Sequence, residues 1–110
     1  MADNVYDAIV IGSGISGGWA AKELCEKGLK TIMLERGRNI EHEVGGVRMG
    51  KDPKTSLLNK WNQFHHCPNV FVSDGACMVS TSTQNPSITF MALTARAANH
   101  AVEELKKGNI

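Results

Sequence analysis

The sequence has no long apolar run, no excess of charge of one sign and no CxxC pair. Its three cysteines, Cys25, Cys67 and Cys77, are an odd number, which is typical of reduced thiols rather than of a disulfide framework. The first apolar stretch, residues 6–11, is too short to cross a bilayer and lacks the flanks of an export signal. We therefore expect no membrane insertion and a cytoplasmic location.

Charge also excludes two classes of partner. Lysine and arginine number 12 and aspartate and glutamate 11, so the net charge is +1. No basic block stands out, which argues against binding to nucleic acid or to an anionic membrane surface. The chain has no internal repeats and no low-complexity segment. Its 110 residues, of which 42% are hydrophobic, are typical of one globular domain.

The first third of the chain predicts a βαβ unit. Residues 5–11, VYDAIVI, are nearly all apolar and often β-branched, which predicts a strand covered on both faces in a parallel sheet. Residues 15–27 follow helical spacing, and Gly28 stands where a helix would end. Residues 30–35, KTIMLE, predict a second strand that completes the unit.

The remainder predicts a long loop, two short strands and a helix. Residues 37–59 show no periodicity, and residues 61–65 and 70–73 predict strands. Residues 86–107 predict an amphipathic helix with an apolar stripe that includes Ile88, Met91, Ala98 and Val102. The predicted fold is α/β, a small Rossmann-like three-layer core with a short parallel sheet of order 2-1-3. The strand at 70–73 would lie beside the first, and the final helix would cover the other face.

The segment Gly12-Ser13-Gly14-Ile15-Ser16-Gly17 has the pattern GxGxxG and joins the first strand to the first helix. Gly12 permits a tight turn, Gly14 leaves room for a diphosphate, and Gly17 lets the helix pack on the strand. Free amides at the helix start bind phosphate. We therefore expect Gly12, Ser13, Gly14, Ser16 and Gly17 to contact a dinucleotide.

An acidic residue ends the second predicted strand. Glu35 follows Gly17 by 18 residues and is a candidate to accept hydrogen bonds from a ribose hydroxyl. Arg36 and Arg38 could instead meet a 2′-phosphate, so charge leaves NADP open. The motif alone does not distinguish FAD from NAD.

Three stretches resemble the glucose-methanol-choline (GMC) flavoprotein oxidoreductases, especially the branch of gluconate and polyol dehydrogenases. YDAIVIGSGISGGWAAKELCEKGLKTIMLERGR is similar to the family's N-terminal ADP-binding segment. HEVGGVRMGKDP and NVFVSDGACMVSTSTQNPSITFMALTARAANHAV are similar to its C-terminal segment. By this resemblance the chain is a single truncated FAD-binding domain, with residues 1–38 and 41–110 from the two ends and the family's large middle portion missing.

The resemblance implies a cofactor and a reaction. The cofactor is FAD, and the reaction is oxidation of an alcohol, sugar or polyol by hydride transfer to flavin. His42 matches the family's catalytic base, and Asn85 matches the second residue that faces the substrate oxygen. Asn85 could alternatively serve only as the cap of the final helix.

The same resemblance assigns further FAD contacts. Asp74, Gly75 and Ala76 match a turn that approaches the diphosphate and the ribityl chain, although a simple Asx turn would also explain Asp74. Pro86, at the start of the final helix, would direct the helix dipole at the flavin.

Three functions are consistent with these observations. The first is a GMC-type dehydrogenase, the second a module that binds FAD or ADP without turnover, and the third a protein that self-associates through an exposed apolar surface. His65-His66-Cys67 lacks a second pair of ligands at a recognisable spacing, so we expect no metal site.

Overall fold

The computed structural model of the chain describes residues 5–35, 45–80 and 86–110. Its elements are β1 (Ala8–Ile11), α1 (Ile15–Glu26), β2 (Thr31–Leu34), a 3-10 helix (Gly75–Cys77) and α2 (Ser87–Lys107). The strands β1 and β2 pair in parallel, with Ala8 opposite Thr31 and Ile11 opposite Leu34. The predicted βαβ unit and final helix are therefore confirmed, and the fold is a small α/β fold.

The core lies where the two helices meet one face of the sheet. Val10 of β1 and Leu24 of α1 form a buried cluster with Ala98 and Val102 of α2. Residues two apart in a strand share a face, so Ala8, which packs against this cluster, lies on the same side as Val10. Both helices thus cover a single face of the sheet.

The other face of the sheet is uncovered by any residue that the structure describes. Exposed fractions are 65% for Ile9, 84% for Ile11 and 50% for Leu34, and all three share the face opposite Val10. The prediction of a first strand buried on both faces, with the final helix on the far side, was wrong. The described residues form two layers rather than three.

The predicted third strand does not join the sheet. Among the described residues the sheet has two strands, and Phe71 forms only an isolated antiparallel bridge with Gln63. The backbone N–H of Val72 donates to the carbonyl of Asn62 at 2.9 Å. The predicted order 2-1-3 is therefore not found, because the hydrogen bonds of segment 70–73 go to Asn62, Phe64, Cys67 and Thr94 and not to β1. Segment 61–65 likewise shows only isolated bridges.

A buried polar cluster attaches residues 61–73 to α2. Asn62 is fully buried and has a left-handed φ of 64°. Its amide donates to the carbonyl of Val72 at 2.8 Å and accepts from Arg96 of α2 at 3.1 Å. Two residues before Arg96, the hydroxyl of Thr94 lies within hydrogen-bond distance of the carbonyls of Ser73, at 3.0 Å, and Phe90, at 2.7 Å. These side chains replace a sheet ladder as the means of holding the segment.

Asn62→Ala is expected to lower the free energy of unfolding by about 3 kcal/mol. The change leaves the Val72 carbonyl and the Arg96 guanidinium without their amide partner, and alanine disfavours a positive φ. Thermal denaturation followed by circular dichroism measures the loss. The control is Asn62→Gly, which tolerates the backbone conformation and should be less destabilising than alanine by about 1 kcal/mol. Equal melting temperatures for Asn62→Ala and the wild type would contradict the role of the cluster.

Candidate functional site

The loop between β1 and α1 begins with a backbone conformation that favours glycine. Gly12 has a φ of 94°, a region that residues with a Cβ rarely adopt. Its N–H donates to the carbonyl of Leu34 at 2.7 Å, so the turn starts directly from the end of the strand pair. The sequence-based role of Gly12 in the tight turn agrees with this geometry.

The third glycine is required by close packing. A Cβ at Gly17 would lie 1.8 Å from the carbonyl oxygen of Gly12 and 3.6 Å from the side chain of Val10. The first turn of α1 therefore rests directly on the backbone of the turn that precedes it. Any side chain at this position would push the helix off β1.

Neither a positive φ nor close packing requires a glycine at the second position of the motif, Gly14. The backbone of Gly14 has φ −60° and ψ −172°, an extended conformation open to all residues. A Cβ built on it would have no heavy atom within 4 Å. The fold thus leaves an open space at Gly14, on the side where α1 begins.

The N-terminus of α1 has amides without a helical partner or a described side-chain cap beside this space. Gly14 is the N-cap and supplies no side-chain cap, and the first turn contains no acidic residue. The helical bonds start with Gly18, whose N–H donates to the carbonyl of Gly14 at 2.8 Å, so the preceding amides have no partner within the helix. Ser16, in the first turn, is buried, with 8% of its surface exposed.

Glu35 lies at this loop and is oriented toward it. One of its carboxylate oxygens accepts hydrogen bonds from the backbone N–H and the hydroxyl of Ser13, each at 2.5 Å. The carboxylate is exposed to solvent. The end of β2 therefore brings an acceptor next to the open space at Gly14, as the spacing of the motif predicts.

The Asp74 turn is held by a different part of the chain. Asp74 caps the 3-10 helix, since its carboxylate accepts from the N–H of Ala76 at 3.0 Å. The carbonyls of Gly75 and Ala76 accept from the N–H groups of Gly45 and Val47. The alternative of an Asx-type turn thus describes the observed geometry. No hydrogen bond among the described residues joins this turn to the glycine loop.

The other predicted site residues are only partly described. Pro86 is the N-cap of α2 and lies 12 residues before Ala98, or about 18 Å along the helix axis from the core cluster. His42, Asn85 and Arg36 lie outside the described residues.

No group of three or more His, Cys, Asp or Glu side chains that could hold a metal ion occurs in the described part of the chain. His65 Nε2 lies 3.2 Å from both the carbonyl of Gly50 and the hydroxyl of Ser56. Burial raises the pKa of the Cys77 thiol above its usual range, so Cys77 is a neutral packing residue.

Sequence reasoning missed Asn62, Thr94 and Arg96. Asn62 lies in a short predicted strand and Thr94 and Arg96 lie outside the predicted stripe of the final helix, so the pattern did not indicate that they would be buried or bonded. The one available signal was the residue type of Asn62, because asparagine is among the few residues that tolerate a positive φ.

The site combines a βαβ unit, a glycine-rich turn and an acid at the end of the second strand, an arrangement typical of nucleotide-binding oxidoreductases. The sequence profile of the GMC oxidoreductase family, that of its C-terminal domain, matches residues 13–94. The chain therefore belongs to the GMC oxidoreductase family.

Curated relatives are similar over roughly half or more of the chain. The large subunit of fructose dehydrogenase from Gluconobacter japonicus is 40% identical over 67 residues, which are 61% of this chain and 12% of that protein. The 2-methyl-1,2-propanediol dehydrogenase of Mycolicibacterium austroafricanum is 41% identical over 59 residues, 54% of this chain and 11% of that protein. The gluconate 2-dehydrogenase flavoprotein of Pantoea cypripedii is 38% identical over 66 residues, which are 60% of this chain and 11% of that protein. The chain thus matches only 11–12% of the length of each of these relatives.

Neither α1 nor α2, the two α-helices of the described ranges, combines the length and apolar character needed to cross a bilayer.

Proposed function

We propose that this chain binds FAD through the β1–α1 loop and derives from an enzyme that oxidises CH–OH groups. The observation that carries the proposal is the open space at Gly14. Neither the backbone conformation nor the packing at this position requires a glycine. A diphosphate placed there would meet the unpaired amides at the start of α1 and the positive end of the helix dipole. Family membership and the relative described as a flavoprotein favour FAD over NAD.

Glu35 would hold the ribose of the adenosine half. Its carboxylate is exposed and already accepts two hydrogen bonds from Ser13 at the same loop. Ribose hydroxyls donate to carboxylates in this position of βαβ units. Arg36, next in the chain, would add a positive charge for the phosphates. The Asp74 to Ala76 turn and Pro86 would contribute the contacts to the flavin half that the family resemblance implies.

The proposed chemistry divides between cofactor and protein. FAD, when bound, supplies the hydride acceptor for oxidation of an alcohol, sugar or polyol carbon to a carbonyl. His42 would accept the hydroxyl proton, because an imidazole changes its charge near neutral pH. The amide of Asn85 would donate to the substrate oxygen and orient it.

The direct test is the visible spectrum of the purified protein. Flavin absorbance that survives gel filtration supports the FAD site, and its bleaching on anaerobic addition of gluconate or another polyol supports turnover. A colourless protein that binds neither FAD nor ADP in calorimetry would overturn the proposal.

His42→Ala is expected to leave FAD affinity unchanged and to lower the rate of flavin reduction by at least about 100-fold. Removal of a general base costs this much when no other group takes the proton. Stopped-flow measurement of flavin bleaching gives the rate, and fluorescence titration gives the affinity. The neighbouring change Glu41→Gln is the control. An unchanged rate in His42→Ala would exclude the proposed base.

A binding module without turnover is the second candidate. The observation in its favour is the uncovered outer face of the sheet, since nothing in the described ranges encloses a reaction centre on that side. Catalysis of hydride transfer depends on positioning and on exclusion of water. In this case the protein would be yellow, and no alcohol would bleach it.

The same uncovered face predicts self-association. Ile9, Ile11 and Leu34 form an exposed apolar surface, and such surfaces commonly become interfaces. Ile11→Thr should shift the protein toward monomer in light scattering, because it exposes less apolar area to a second copy. The control Ile88→Thr changes an isoleucine that is 80% exposed on α2, away from the sheet, and should leave the oligomeric state unchanged. Equal masses for Ile11→Thr and the wild type at all concentrations would contradict this use of the face.

A further inference from the structure

Ser13 and Glu35 connect the start of the glycine loop to the end of β2. The backbone N–H and the hydroxyl of Ser13 both donate to Oε2 of Glu35, each at 2.5 Å. The two residues are 22 positions apart in the chain. One residue therefore holds the carboxylate with two donors, at the place where the proposed function puts the adenosine ribose.

The strand pair brings these two residues together. Ile11 lies opposite Leu34 in the register of β1 and β2, and the N–H of Gly12 donates to the carbonyl of Leu34 at 2.7 Å. Ser13 follows Gly12 in the chain, and Glu35 follows Leu34. The backbone N–H of residue 13 is present with most side chains, so the hydroxyl is the donor that serine adds.

The fold gives no other reason for a serine at this position. Ser13 is exposed and does not have a positive φ, so neither core packing nor the backbone conformation restricts the residue type. Within residues 5–35, 45–80 and 86–110 its hydroxyl has no hydrogen bond other than the one to Glu35. In these ranges the hydroxyl therefore acts on the carboxylate alone.

Two donors orient a carboxylate better than one. A carboxylate with a single donor can turn about that hydrogen bond, whereas a second donor restricts its direction. A glutamate side chain loses rotamer freedom when a ligand orders it, and this loss weakens binding. The hydrogen bonds from Ser13 order the Glu35 carboxylate before a ligand arrives.

The direction of the carboxylate matters because its charge distinguishes two kinds of ribose. A carboxylate accepts a hydrogen bond from a 2′-hydroxyl and repels a 2′-phosphate, and the repulsion falls as the two charges move apart. The first turn of α1 contains no acidic residue, so no carboxylate of that turn adds to the effect. A Glu35 carboxylate that could turn away would therefore distinguish the two less well.

We propose that Ser13 is a positioning residue that fixes the Glu35 carboxylate at the adenosine ribose and so makes the loop prefer a free 2′-hydroxyl to a 2′-phosphate. This inference rests on the proposed nucleotide site and names the residue that sets its specificity. FAD has a free 2′-hydroxyl on its adenosine, whereas NADP carries a phosphate there. The preference thus selects between the two cofactor classes that the charges in the sequence left open.

The experiment compares the affinities for ADP and for ADP that carries a 2′-phosphate, by calorimetric titration of the wild type and two variants. Ser13→Ala should lower the affinity for ADP about fivefold, because the carboxylate is no longer ordered in advance. Its affinity for the phosphorylated analogue should stay within about twofold of the wild type, since a mobile carboxylate can move away from the phosphate. Ser13→Thr keeps the hydroxyl and should restore the wild-type ratio of the two affinities. An unchanged ratio in Ser13→Ala would overturn the proposal, because a general disturbance of the loop weakens both ligands equally.

Glu35→Ala tests whether the hydroxyl acts through the carboxylate. In this background Ser13→Ala should have no further effect on the affinity for ADP, and a further fivefold loss would contradict the proposal. In the protein without nucleotide, the NMR signal of the Ser13 amide proton should move upfield in Glu35→Ala, because a hydrogen bond to a carboxylate is lost. An unchanged amide signal would also overturn the proposal. A wild-type protein whose amide signal responds in this way but which binds neither ADP nor FAD would instead show that the proposed function has failed, and the specificity role with it.

Discussion

Gly14→Val is expected to weaken binding of FAD and ADP by at least about 100-fold while the fold persists. The physical reason is the open space at this residue, since an added side chain would meet no protein atom within 4 Å at its Cβ. It would instead occupy the volume assigned to the diphosphate. Valine adopts the observed extended backbone readily, so the free energy of unfolding should fall by no more than about 1 kcal/mol, from the weaker helix cap.

Calorimetric titration with FAD and with ADP measures the binding, and thermal denaturation measures the fold. Gly18→Ala is the control on the same helix. Its Cβ would lie 3.7 Å from the carbonyl oxygen of Ser13, an ordinary contact, and alanine in a helix interior should raise stability by about 0.5–1 kcal/mol. Nucleotide affinity that persists in Gly14→Val would mean that the diphosphate does not bind at this loop.

Gly17→Ala is expected to lower the free energy of unfolding by about 3 kcal/mol or more. The added methyl carbon would lie 1.8 Å from the Gly12 carbonyl oxygen and 2.7 Å from its carbon. Both are backbone atoms, so the clash is relieved only by moving α1 away from β1. That movement would open the cluster of Val10 and Leu24.

Chemical denaturation followed by circular dichroism gives the stability of Gly17→Ala. Because small domains are stabilised by only about 5–15 kcal/mol, the variant should be partly unfolded or unfold at a much lower temperature. Gly14→Ala and Gly18→Ala are matched controls, since each adds the same methyl group three residues or one residue away. If all three alanine variants had the same stability, the close approach of α1 to the Gly12 turn would be wrong.

The three glycines of the loop show how far a motif can be interpreted before the fold is known. The pattern predicted a turn at Gly12, a space for a ligand at Gly14 and a packing contact at Gly17, and the geometry shows the turn and the packing contact. These two roles depend on chain neighbours within a few residues, which is why they were predictable. Whether FAD occupies the space at Gly14 remains the proposal to be tested.

The helix α2 shows the opposite case. Its range was predicted closely, yet Ile88 from the predicted stripe is 80% exposed and Thr94, outside it, is 1% exposed. Hydrophobic periodicity gives the spacing of a buried stripe but not the elements that will cover each part of it. Here Ala98 and Val102 pack on the βαβ unit, whereas Thr94 lies over the Ser73 carbonyl.

Local sequence was enough to determine the βαβ unit, the glycine turn and the length of α2, because each follows from residue type and spacing along a short stretch of chain. Tertiary structure alone decided that α1 and α2 share one face of a two-stranded sheet. It also decided that residues 70–73 are bound by Asn62 and Thr94 and not by β1. Those outcomes depend on which distant surfaces and hydrogen-bonding groups meet, and an apolar run of a few residues is compatible with several partners.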